Sequence, residues 1–216
     1  VMGTDAWYKP IKFALSIGIY SWTMAWLMAD LETTNSVLVY SWIIVLMLGF
    51  EIIYIGLQAG RGELSHFNQS SALYANLYVA MALAATAVTL VTAAVGLQFF
   101  NGSFPHLPTH YLWAIRLGIL IFVIFSLEGF VMGSRMSHTI GAADGGTGWP
   151  FLNWSKKYGD PRVAHFVGMH ALQVLPLVSF YLLKSTRWTI VFAACYLLIA
   201  IYVLLQALQG RPLIRG

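Results

Sequence analysis

The sequence predicts an all-α fold, a polytopic transmembrane bundle of six helical spans with both termini cytoplasmic, and three observations predict it. The first is composition. Of 216 residues, 59% are hydrophobic and only 9% charged, with a mean hydropathy of +0.72, whereas a soluble domain carries about 25% charged residues. A soluble chain of this length would need far more polar surface, so soluble globular, disordered and disulfide-scaffold classes are excluded. The second is segmentation into six apolar runs, each able to cross about 30 Å of hydrocarbon at roughly 20 residues per span. The third is the placement of charge. With six spans, nine of the twelve Lys and Arg residues fall on the side of the termini, among them Lys9, Lys12, Arg61, Arg135 and Arg162. The opposite side has Lys184, Arg187 and Arg116, with Asp30 and Glu32 in its first loop. Positive charge retained on the cytoplasmic side gives the orientation.

The spans are expected near 11–29, 37–60, 73–100, 110–134, 163–183 and 188–209, forming one transmembrane domain over 1–216. The first follows Lys9 and Lys12, and no small-residue cleavage site succeeds it, so it reads as a retained span. Val1-Met2 has the look of an alternative initiation codon translated literally. The third span is the longest and is rich in Ala80, Ala82, Ala84, Ala85, Ala87, Ala93, Ala94 and Gly96. Small side chains let backbones approach closely, which places this helix at the bundle centre. After the fourth span comes a long inner loop, 135–162. Its Gly, Asp and Pro residues stop a helix, yet Trp149-Pro-Phe-Leu-Asn-Trp154 is too apolar for an ordinary wet loop. Two readings stand: a re-entrant or interfacial lid, or a connector anchored by its two tryptophans. Open sheet edges cannot face lipid, and the runs are too long for barrel strands. No internal repeat is evident.

Ionisable groups inside spans are expensive and by default mark function. In span two, Glu51, Tyr54, Gln58 and Arg61 lie within about 80° of one another on a helical wheel. Span four repeats the pattern with Glu128, Met132, Arg135 and His138, provided its helix reaches His138. Span five begins a similar stripe with Arg162, His165, Met169 and Gln173, with His170 set to one side. All three start at the inner interface. If these spans are neighbours, Glu51, Glu128, His165 and His170 line a cytoplasm-facing pocket ringed by Arg61, His66, Arg135 and Arg162, with Trp149 and Trp154 at its entrance.

Three functional classes follow. Glu51, Glu128, His138, His165 and His170 are ligand types for zinc, iron or manganese, and His165 or His170 for haem. On that reading Glu51, Glu128 and Arg135 act in catalysis. Arg61, His66, Arg162, Trp149 and Trp154 then hold a lipidic or quinone-like substrate. No HExxH motif or other fixed spacing specifies a metal. A proton-coupled transporter or channel would use the same glutamates without a cofactor. A structural subunit of a larger membrane complex, or a homo-oligomer, would use them to set helix packing. Membrane lipids are expected partners, and no basic cluster interleaved with aromatics suggests nucleic acid. His106 and His110, at the outer side with Arg116, could bind a metal or an anionic head group, or be interfacial. Cys195 has no partner for a disulfide. Asp144-Gly-Gly-Thr-Gly fits neither a calcium loop nor a phosphate loop.

The phrases GRGELSHFN at 60–68, SRMSHTIGAADGG at 134–146 and GDPRVAHFVGMHALQVLPL at 159–177 resemble a group of small bacterial integral-membrane proteins of uncharacterised activity. The resemblance implies a multi-pass protein of the bacterial inner membrane and carries over no catalytic residue.

Overall fold

A computed structural model describes residues 5–31 and 35–214; Val1-Met2, Glu32 and Arg215 lie outside them. The chain forms α1 (Tyr8–Ala29), α2 (Asn35–Gly60), α3 (Ala72–Asn101), α4 (Thr109–Arg135), α5 (Arg162–Met169), α6 (Ala171–Val178), a π-helical turn (Ser179–Leu183) and α7 (Thr186–Leu208). Six stretches are long and apolar enough to cross a membrane, with α5, α6 and the π turn making one of them, Arg162–Leu183. The described residues contain no strand, only isolated antiparallel bridges at Ile140–Gly159 and Gly148–Ser155. Large apolar side chains such as Trp22, Leu83, Leu182 and Tyr202 are exposed, as a lipid-facing surface requires.

The chain divides within α3 into two compact units, Val1–Thr92 and Ala93–Gly216. In the first, α1 packs on α2, and Phe13 of α1 and Leu77 of α3 close over Tyr54, Ile55 and Met81. Thr92 Oγ1 donates to Val88 O (2.8 Å), so the Tyr20 hydroxyl donates to Thr92 (2.7 Å) and ties α1 to α3. Between α2 and α3, Leu64 O accepts from Gln58 Nε2 and Asn68 Nδ2, each at 3.1 Å. Asn68 Oδ1 accepts from Ser70 N, while Ser71 Oγ receives Tyr74 N and caps α3. Asn68 thereby braces the turn that delivers Ser71.

In the second unit α4 packs against α5, α6 and α7. Close approach depends on glycine. A Cβ on Gly118 would come within 2.9 Å of Ala171 O, and one on Gly168 would run into the Phe125 ring. Arg116 Nε donates to Phe99 O (2.9 Å), placing a cation at the carbonyl end of α3 where the helix dipole favours it.

The fifth span is not the continuous helix expected. Pro176 lacks the N–H that would bond Leu172 O, which loosens the preceding turn. At the α5–α6 junction His170 O accepts from both Gln173 N (3.0 Å) and Val174 N (2.9 Å). The span ends in the π turn, where Lys184 N reaches Ser179 O (3.0 Å) and Lys184 is left-handed, φ 47°. The stripe from Arg162 to Gln173 is therefore regular only as far as Met169.

The loop after α4 is a built connector. Met136 is left-handed (φ 50°) and stops α4, so His138 leaves the helical stripe proposed for span four. The Ile140–Gly159 bridge packs on the end of α7, where a Cβ on Gly159 would collide with Ala207 O. Backbone cannot move aside as a flexible side chain can. Gly159→Ala should therefore destabilise the protein by about 1–3 kcal/mol, the usual range for overpacking. Gly56→Ala, which meets nothing within 4 Å, should leave thermal unfolding in detergent unchanged or slightly raised. Equal melting temperatures for both variants would show that the loop does not pack on α7.

Candidate functional site

In α4, Glu128 faces the core, 8% exposed, and its neighbour Gly129 leaves room for a side chain from α5. His165 takes that room: a Cβ on Gly129 would lie 3.2 Å from His165 Cε1. His165 Nδ1 then stands 3.3 Å from Glu128 Oε2. That distance permits charge attraction, but the groups are not aligned for a hydrogen bond. Both Glu128 oxygens and His165 Nδ1 are buried without a hydrogen-bond partner among the described residues. Buried polar atoms are rarely left in this state. In the first unit Glu51 is likewise buried at 7% exposure. It makes no hydrogen bond or ion pair among the described residues.

The other residues singled out by sequence do different things. Arg135 is exposed at the last turn of α4 and does not pair with Glu128. His138 binds Asp144: its Nδ1 lies 3.0 Å from Oδ2, and its backbone N donates to the same carboxylate. Thr139 N and Ser137 Oγ donate to it as well, both at 2.8 Å. Burial alone would push the Asp144 carboxyl up, but the bonds from His138, Ser137 and Thr139 outweigh it and hold the group well below the usual carboxylate range.

Arg162 forks onto Asp160, with Nε at 2.8 Å from Oδ1 and a terminal nitrogen on Oδ2, a charge-assisted geometry. It also donates to Asn153 O (2.6 Å). Ser155 N completes the Asp160 carboxylate (2.9 Å). Trp149 N donates to Trp154 O, closing the apolar turn. Lys156 lies over the Trp149 ring, and Trp154 packs edge-on against Phe166. The tryptophans thus hold the turn closed on itself and against α5. His170 donates from Nδ1 to Phe166 O (2.8 Å) and stacks on that ring. His66 sits among Phe13, Phe67 and Tyr78.

His110 Nδ1 is 3.1 Å from Ser179 Oγ, a contact that superficially suggests a nucleophile and its base. The hydrogen bonds argue otherwise. Ser179 Oγ donates to His110 O (3.0 Å) and accepts from Thr189 (2.7 Å), and the serine is fully buried. The three side chains knot the start of α4 to the π turn and α7.

Glu128 and His165 are suitable ligand types for zinc, iron or manganese, but zinc takes about four ligands. Among the described residues no group of three or more His, Cys, Asp or Glu is placed to hold a metal ion.

Sequence reasoning missed Asp160 and Ser179, and weighed Asp144 only as part of a calcium or phosphate loop. Asp160-Pro161 before a helix is a readable turn signal, and Asp144 in a glycine-rich stretch fits a side chain that bonds nearby backbone. Nothing local marks Ser179, whose partners are distant in sequence. Because the Asp144 pKa is depressed on folding, its contribution to stability is complete above the unfolded-state value of about 3.9. It is lost as pH falls through the lower folded-state value. Asp144→Asn should remove that acid-dependent component and cost about 1–3 kcal/mol at neutral pH, checked by thermal unfolding across a pH series. No protein-family model, curated protein or solved structure matches the chain.

Proposed function

We propose that this is a multi-pass protein of a bacterial inner membrane, with both termini cytoplasmic, that couples proton movement to the passage of a small solute. The observation that supports it is the Glu128–His165 pair between α4 and α5, a buried carboxylate beside a half-buried imidazole, with no hydrogen bond to either carboxylate oxygen. One proton can reside there as carboxylate and imidazolium, or as carboxylic acid and imidazole. A buried ion pair without aligned hydrogen bonds recovers only part of its desolvation cost, so neither arrangement is locked. The helix is interrupted at His170, between α5 and α6, five residues after His165, and an interruption of this kind offers a place where the His165 turn can shift relative to α6. Glu51 is a second buried carboxylate for proton transfer, carried by the first unit. The orientation follows from the positive charge of the loops on the side of the termini.

The test uses full-length protein in liposomes. Infrared difference spectra across a pH titration should show a carboxyl band that disappears in Glu128→Gln and shifts in His165→Gln. In vesicles loaded with a fluorescent pH indicator, an imposed solute gradient should move protons in the wild type and not in Glu128→Gln. A carboxyl signal unaltered by either substitution, together with unchanged proton movement, would reject the proposal.

A further inference from the structure

The two nitrogens of His165 face different surroundings. Nδ1 is enclosed and stands 3.3 Å from Glu128 Oε2. The same edge of the ring leans into the gap at Gly129. A Cβ there would lie 3.2 Å from Cε1 and 3.6 Å from Nδ1, with Nε2 beyond 4 Å. The ring therefore turns Nε2 away from that gap. The His165 side chain is 29% exposed, against 5% for that of Glu128. Nε2 makes no hydrogen bond or ion pair among the described residues, yet it is not enclosed as Nδ1 is.

Glu128 has no such outlet. Both of its oxygens are enclosed, so a proton reaches the carboxylate only through a neighbour. The polar groups around α5 are committed elsewhere. Arg162, one turn before His165, is held by Asp160 and Asn153 O. Tyr196 of α7 donates to Val167 O (2.6 Å), and His170 Nδ1 is bonded to Phe166 O. His165 lies three residues into α5, a rise of about 4.5 Å from Arg162, which keeps it near the head-group layer at that end of the span.

We propose that His165 Nε2 is the port through which Glu128 exchanges its proton, on the side of the chain termini. The inference rests on reading the pair as a proton site, and adds the route. The Glu128 carboxylate holds the hydrogen of the neutral imidazole on Nδ1, which leaves the Nε2 lone pair facing outward as the base. A proton from bulk water forms an N–H bond at Nε2, and the Nδ1–H bond breaks as an O–H bond forms at Glu128 Oε2. The imidazole is again neutral, with its hydrogen now on Nε2, and Glu128 is a carboxylic acid. The same steps reversed release the proton.

Time-resolved infrared spectroscopy of the full-length protein in liposomes, after light-driven release of caged protons, follows the Glu128 carboxyl band. His165→Ala should slow its rise by on the order of a hundred-fold, the lower end of what a positioned acid–base group contributes. Added imidazole should restore the rate in His165→Ala and leave the wild type unchanged. Equal rates in wild type and His165→Ala would overturn the port and leave the proton site standing. A slow rise that imidazole does not restore would also overturn it, since His165 would then act through packing. Absence of a Glu128 band in the wild type would reject the proton site, and the port with it. A second measurement needs no substitution. Diethyl pyrocarbonate acylates an accessible, unprotonated imidazole nitrogen, and peptide mass spectrometry of the native protein should find His165 modified. Modification of His165 only after unfolding would overturn the port.

Discussion

A backbone amide in hydrocarbon has no water to bond, so each spanning segment must satisfy its own N–H and C=O groups. The polar side chains in these spans obey the same requirement. Thr23, Ser41, Thr86, Thr89 and Thr92 each return their hydroxyl to the carbonyl four residues back. Tyr20 finds Thr92, and His110, Ser179 and Thr189 bond one another. Against this economy stand Glu51, the Tyr54 hydroxyl and the Glu128–His165 pair. Two of them are carboxylates, the most costly of these groups to bury with incomplete bonding.

Incomplete bonding at Glu128 is possible because of how α4 meets α5. Gly129 and Gly168 bring the two helices close, as Gly118 does for α4 and α6, and Gly129 in particular opens the space that the His165 ring fills. A larger residue there would press on the imidazole and alter its distance from Glu128. Farther along the same span, Pro176 and the π turn interrupt regular helical geometry. Packing and polar chemistry are thus coupled through the same few small residues.

The connector between α4 and α5 shows a different solution, outside the spans. Two carboxylates organise it: Asp144 gathers Ser137, His138 and Thr139, while Asp160 gathers Ser155 and Arg162. Each carboxylate accepts several donors, which is the condition under which a partly buried charge is stable. His138 and Arg162, plausible ligands or substrate anchors on sequence grounds, have their side chains committed to holding this connector in shape.

Six helices long and apolar enough to cross a membrane, and their approximate limits, were legible in the sequence because apolarity on that scale is a property of long contiguous runs. Such runs survive without knowledge of any tertiary contact. Glu51 and Glu128 were legible for the same reason, since a carboxylate inside an apolar run is conspicuous wherever its helix packs. Which partner each polar group finds was not legible. Glu128 meets His165 through a gap at Gly129, His138 turns to Asp144 because Met136 ends the helix, and Ser179 joins His110 and Thr189 across three elements. Helical periodicity presumes an unbroken axis, and both Met136 and the His170 junction end it. Those pairings depend on backbone turns and on distances between helices, which only the tertiary structure decides.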